Sequence, residues 1–181
     1  MISLRSKITR KILNLFFLNE DESFYINELA KLLQEDLSNL YKKLIELKKE
    51  GLLSDEFKGK ERYFFLNKKY PLLKEYKKII LKGFGFEKTL KEELSKVKGV
   101  ESVYVFGSYA QNRLSLESDI DVLIVGDVDT PKLQKILLEI QRLSGREINS
   151  VELTKKEFEK RKKEKDGFLI DILSSKYIKI I

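Results

Sequence analysis

The sequence predicts two domains, a mainly α-helical one followed by an α/β one built on a small mixed sheet. Three observations predict it. A length of 181 residues fits one large domain or two small ones. Apolar residues recur at helical spacing up to Gly51 and then give way to two short extended runs, whereas from Val100 onward extended runs alternate with amphipathic ones. The charge divides as well: residues 1–85 carry 18 basic and 12 acidic side chains, a net of +6, while residues 86–181 carry 18 and 17, a net of +1. The expected division is a first domain over 1–67, a linker helix over 68–85 and a second domain over 86–181.

Leu4, Ile8, Ile12, Leu15 and Phe16 predict a first helix over residues 3–18, ended by Asn19. After the acidic turn Glu20, Asp21, Glu22, a short extended stretch covers 24–26. Asn27 is placed to N-cap a second helix carrying Leu29, Leu32 and Leu33. A turn at Glu35 and Asp36 opens a third helix whose Leu37, Leu40, Leu44 and Leu47 form one buried face, with Gly51 as its C′ residue. Extended runs over 52–57 and 62–66 then flank Lys58, Gly59 and Lys60, a hairpin tip.

Helix, strand, helix, helix and a two-stranded wing is the order of a winged helix-turn-helix. The stretch LSNLYKKLIELKKEGLLSDEFKGKERYFFLN resembles the recognition helix and wing of archaeal and bacterial transcription regulators of that class. The resemblance spans residues 3–67. It implies base and phosphate contacts from Ser38, Asn39, Tyr41, Lys42 and Lys43 in the major groove, and phosphate contacts from Lys58, Lys60 and Arg62 of the wing. Duplex DNA is then the expected partner, and the +6 charge of residues 1–85 favours it over an ordinary lysine-rich solvated face.

Beyond Pro71, Leu72, Leu73, Tyr76, Ile79 and Ile80 give the linker its helical spacing, and Gly83 to Gly85 close it. The second domain reads as a helix over 86–98 stopped by Gly99, a buried strand over 100–106, a turn at Gly107 and a strand over 119–125. A helix over 130–143 opened by Pro131 and a strand over 147–153 follow. Thr154 and Glu157 form a capping box for a very polar helix, and 177–181 is a last short strand.

With no cysteine and no histidine, disulfides, thiolate zinc sites, cysteine nucleophiles and histidine bases are excluded. Any chemistry must run on carboxylates, hydroxyls, lysine, arginine and backbone amides. Charged residues at 36 % interrupt every apolar run too often for a membrane span, and no signal-like apolar segment follows Met1, so a cytoplasmic protein without a membrane partner is expected.

The sharpest signal is FGSYAQNRLSLESDIDVLIVGD. Gly107 and Ser108 stand at a strand end, and after ten residues come Asp119 and, two further on, Asp121. Strand alternation puts both aspartates on one face, about 6–7 Å apart at the α-carbons. Carboxylates so placed repel unless a cation joins them, and hard oxygen ligands suit Mg²⁺ together with substrate phosphates. The glycine permits close backbone approach, and Ser108 with the following amides can hold phosphate oxygens.

At these residues the chain resembles the minimal nucleotidyltransferases of the DNA polymerase β superfamily, over about residues 86–155. The resemblance implies that Gly107 and Ser108 bind a nucleoside triphosphate, and that Asp119 and Asp121 hold Mg²⁺ and are catalytic. Two departures stand out. Where relatives carry Ala-Arg-Gly, this chain has Ala110, Gln111 and Asn112; asparagine tolerates the left-handed turn, and the lost arginine is less easily replaced, Arg113 two positions later being the residue that could serve. Where active members carry a third carboxylate as proton acceptor, this chain has Asn149; Glu147, on the same strand face, is the substitute expected, while Glu152 points the other way.

These features imply a DNA-binding protein whose second domain binds triphosphate and Mg²⁺ and transfers a nucleotidyl group. A protein is one acceptor class, and a homodimer is one assembly open to the chain. A regulator that only senses nucleotide and an antitoxin that adenylylates a partner toxin are the alternatives.

Overall fold

The computed structural model describes residues 2–114 and 118–181. The chain divides into two compact units, Met1–Lys88 with Leu143–Gly145, and Thr89–Arg142 with Arg146–Ile181.

In the first unit α1 (Lys7–Leu18) starts later than its apolar spacing suggests, because the Ser6 hydroxyl caps it by accepting from the Thr9 amide at 3.3 Å. Its Ile12, Leu13, Leu15, Phe16 and Phe17 are buried. Strand β1 (Ser23–Tyr25) runs directly into α2 (Ile26–Leu33). Tyr25, not Asn27, is therefore the N-cap; the Asn27 side chain donates to the Tyr25 hydroxyl at 2.6 Å instead. Asp36 caps α3 (Leu37–Lys49) by accepting from the Asn39 amide at 3.0 Å, and Gly51 takes the left-handed C′ conformation at φ +83°.

Leu40, Leu44 and Leu47 are the buried stripe of α3. Leu37, expected among them, is 44 % exposed, because it lies on the first turn before the stripe meets the core. Strands β2 (Leu53–Lys58) and β3 (Glu61–Leu66) pair down to Lys58 opposite Glu61, so the hairpin tip shrinks to Gly59 and Lys60. With β1 they form an antiparallel sheet in the order β1-β3-β2, and buried Phe24 and Phe64 face each other across it. Helix α4 (Leu73–Gly83) packs on α1 through Ile80 and Leu81, while Leu72 and Ile79 stay outside.

Helix α5 (Phe86–Leu94) ends four residues before the expected stop, where the Lys96 and Val97 amides turn back onto Glu93 and Leu94 in tighter three-residue bonds. The second unit is a four-stranded mixed sheet in the order β6-β5-β4-β7. Strand β4 (Val100–Phe106) is antiparallel to β5 (Ile120–Gly126), which is parallel to β6 (Ile148–Leu153). The last strand, β7 (Ile178–Lys179), is shorter than expected and pairs antiparallel with β4.

The turn at Gly107 is a single helical turn, α6 (Gly107–Ala110), and α7 (Thr130–Ser144) makes the crossover from β5 to β6. The Thr154–Glu157 capping box opens α8 (Lys155–Lys163). A further helix, α9 (Gly167–Ser174), capped by Asp166, is one the sequence reading did not separate from the charged run before it. Leu123, Val125 and Leu153 of the sheet pack with Phe158, Leu169 and Ile172 from these two helices as one core cluster. No described helix is long and apolar enough to cross a membrane.

Candidate functional site

Strand pairing places the site. In β4 and β5, Phe106 lies directly opposite Asp121, and in β5 and β6, Asp121 lies opposite Asn149. Residues that face each other in a ladder share a face, so these three form one row across the sheet. The next row, Tyr104, Leu123 and Val151, already belongs to the core packing under α8 and α9.

Past Phe106 the chain turns at Gly107, whose φ is +65°. A Cβ there would overlap Oδ2 of Asp121, so only glycine serves both the left-handed backbone and the close approach of the carboxylate. Ser108, half-buried, sits in α6 and its carbonyl accepts the Arg113 amide at 2.8 Å. Because α6 is only four residues long, it offers amides but no helix dipole of consequence. Asn112 is left-handed at φ +55°, the conformation expected of it. The Arg113 guanidinium is exposed and donates to the Gln111 side chain.

Asp119 is exposed, one residue before β5, and Asp121 is half-buried. Burial pushes the Asp121 carboxyl above its ordinary value and the negative charge of Asp119 pushes it further, against a hydrogen bond from the Asn149 side chain that favours the carboxylate. Two carboxylates that resist ionising together fit a cation. Among the described residues no group of three carboxylates converges as a metal site. Glu147 is exposed, just before β6, and its backbone carbonyl accepts the Ile120 amide at 2.9 Å. Glu152 is turned toward α7, where its carboxylate accepts from Gln134 at 2.7 Å and Thr130 at 2.9 Å.

Two features of the site carried no signal in the sequence. Arg146 is only 6 % exposed and donates to the Ser118 carbonyl at 3.1 Å, which fixes the backbone next to Asp119. Phe168, on the first turn of α9, meets Phe106 edge to face with centroids 6.0 Å apart. Both depend on contacts between residues far apart in the chain.

In the first unit, Ser38, Asn39, Tyr41 and Lys42 lie exposed on α3, and Lys43 pairs with Glu46 at 2.6 Å. Lys58 pairs with Glu56 at 3.1 Å and stands over the Tyr63 ring, and Lys60 is exposed at the tip. Arg62 is engaged inside the unit: its Nε donates to Asp55 at 2.5 Å, Nη1 donates to the Tyr41 hydroxyl at 2.7 Å, and the guanidinium lies over Phe57, Phe64 and Tyr41. Burial would raise the Asp55 carboxyl, but the Lys48 ammonium and the Arg62 guanidinium outweigh it and hold it below the usual carboxylate range.

Comparison with known proteins bears on the second unit. The family described as "Nucleotidyltransferase domain" matches residues 87–178. A Methanocaldococcus jannaschii protein named "Putative protein adenylyltransferase MJ0604" is 34 % identical over 80 residues, which cover 41 % of this chain and 80 % of that one. A crystal structure from Sulfolobus solfataricus, described as that of "a putative nucleotidyltransferase", is 23 % identical over 41 % of this chain and 68 % of its own, with a TM-score of 0.28, too low to add to the assignment. With the family matched over residues 87–178, just over half of the chain, and a relative 34 % identical covered over 80 % of its length, this chain belongs to the nucleotidyltransferase domain family.

Proposed function

We propose that residues 86–181 transfer a nucleotidyl group from a nucleoside triphosphate, in complex with Mg²⁺, to a hydroxyl of an acceptor. The observation that carries this reading is the row Phe106, Asp121, Asn149 with Gly107 packed against the Asp121 carboxylate. Asp119 and Asp121 would hold Mg²⁺, which supplies charge neutralisation for the phosphates and for the oxygens of the displacement. Gly107 keeps the approach to Asp121 free of a side chain, and Ser108 binds phosphate oxygen. Arg146, through the Ser118 carbonyl, keeps Asp119 in place. The acceptor oxygen bonds to the α-phosphorus as the bond to pyrophosphate breaks, and the acceptor proton leaves to Glu147, since an amide at Asn149 takes none. The name of the Methanocaldococcus relative favours ATP as donor and a protein as acceptor.

Isothermal titration with Mg²⁺ and ATP tests the site. Binding by the parent and its loss in Asp119→Ala and Asp121→Ala support it; binding equal to the parent in either variant refutes it.

A second reading, a regulator that binds nucleotide and transfers it poorly, is favoured by one observation. The position opposite Asp121 holds an amide that donates to it.

We propose residues 1–67 as a winged helix-turn-helix that binds duplex DNA, with 68–85 as a linker. The order α1, β1, α2, α3 and the β2–β3 hairpin, the basic excess and the exposed Ser38, Asn39, Tyr41 and Lys42 support it. Arg62 then serves to hold the hairpin rather than to reach phosphate.

A further inference from the structure

We infer that Phe168 of α9 is the platform on which the base of the nucleotide stacks. This rests on the reading of Asp119 and Asp121 as the phosphate end of the same site, and adds the end that recognises the base.

The row across the sheet has two ends of different character. Asp121 is its polar centre, and Phe106, opposite it on β4, is half-buried. Directly facing side chains in an antiparallel pair have β-carbons about 5 Å apart. The rows below are covered by α8 and α9, where Phe158, Leu169 and Ile172 pack on Leu123, Val125 and Leu153. Leu169 and Ile172 point one face of α9 into that core, and Phe168 falls outside it, on the first turn, perpendicular to the Phe106 ring with 85° between the ring planes. Its ring is one contact removed from the residue that faces Asp121, and it stays 37 % exposed.

A ring that stands perpendicular to its one aromatic neighbour and stays 37 % exposed leaves ring surface open to a planar base. Core packing accounts for Leu169 and Ile172, but it does not account for a large ring left more than one-third exposed against Phe106, the residue that faces Asp121. A triphosphate held at Ser108, Asp119 and Asp121 carries its base about a nucleotide's length away, so an aromatic near those residues but not among them suits the base.

The chain has no tryptophan, so Phe168→Trp creates a single indole at the proposed platform. Full-length parent, Phe168→Trp, Phe168→Ala, Phe168→Leu and Asp121→Ala are titrated with ATP and with inorganic tripolyphosphate, each with Mg²⁺. Stacking is worth about 1–3 kcal/mol per base, about 5- to 150-fold in affinity. Both Phe168→Ala and Phe168→Leu should lose that factor for ATP and none for tripolyphosphate, and the indole should be quenched by ATP only. Leu keeps apolar packing on Phe106, so a loss in Ala alone reports packing and overturns the proposal. ATP binding equal to the parent in both variants, or an indole that responds alike to the two ligands, also overturns it. If the parent binds neither ligand, the reading of the phosphate end fails and the platform falls with it; if Asp121→Ala loses both ligands while Phe168→Leu loses neither, the platform alone is wrong.

Discussion

Asn149 stands opposite Asp121 across the parallel β5–β6 pair and donates a hydrogen bond to its carboxylate. The neutral amide relieves one of the two charges that crowd this face, but it accepts no proton from an incoming hydroxyl. Asn149→Asp should raise the rate of nucleotidyl transfer, by up to about 10²- to 10⁴-fold if that base is what limits the parent. A third carboxylate also adds repulsion, so the same variant should melt lower than the parent without Mg²⁺ and recover when Mg²⁺ is added. Single-turnover transfer and thermal melting with and without the metal check both statements.

If Glu147 takes the proton in the parent, Glu147→Gln should cost a comparable factor in turnover while leaving the affinity for Mg²⁺ and ATP within about twofold. Glu152→Gln should do neither, because its carboxylate is engaged by Gln134 and Thr130 on the α7 side. Parallel measurement of kcat and of binding separates the two glutamates.

Gly107→Ala meets two penalties at once, a left-handed backbone worth about 1–2 kcal/mol and an overlap with the Asp121 carboxylate. Lower thermal stability together with loss of triphosphate binding is expected. Ser108→Ala, in the half-buried position next to it, should weaken triphosphate binding without the loss of stability.

Asp55 contributes to the acid response of the first unit. Its folded-state carboxyl is held below its ordinary value, so its stabilising contribution is complete above the normal carboxylate range and is lost as pH falls through the lowered value. Asp55→Asn should cost about 1.5–3 kcal/mol near neutral pH and make unfolding less sensitive to acid. Denaturant melts between pH 7 and pH 2 test the sign. An unchanged pH profile would mean that Lys48 and Arg62 do not hold the carboxylate as described.

For DNA binding, Lys42 and Lys60 have no ion-pair partner among the described residues and should each contribute about 0.9 to the log–log salt slope. Lys42→Ala and Lys60→Ala should flatten the slope while leaving the fold alone. Arg62→Ala should chiefly lower the melting temperature, because its guanidinium joins Asp55 to Tyr41. Anisotropy titrations over a range of salt, run beside thermal melts, distinguish the two classes.

Much of this was legible in the sequence because local patterns determine it. The strand pattern around Val122 to Val125, the Thr154–Glu157 capping box and the left-handed Asn112 follow from residue type and spacing over a few positions. The boundaries that moved did so through local contacts: one hydrogen bond from the Thr9 amide makes Ser6 the cap of α1, and β1 running straight into α2 makes Tyr25 its cap in place of Asn27, with no side-chain bond. What was not legible depends on partners far away in the chain. Arg62 looks like a wing arginine until Asp55, Tyr41 and Phe64 are seen around it, and Arg146 looks like surface charge until its side chain reaches Ser118, 28 positions earlier. Helix α9 was hidden because its amphipathic face is short and follows a charged run broken only by Phe158.

Nucleotidyl transfer by residues 86–181 themselves is read out by covalent labelling. Full-length protein incubated with Mg²⁺, cell extract and ATP labelled at the α-phosphate tests it most directly. Covalent label is expected on an acceptor, strongest with Asn149→Asp and absent with Asp119→Ala and Asp121→Ala. Label that appears undiminished in either aspartate variant, or that never appears even with Asn149→Asp, would contradict it.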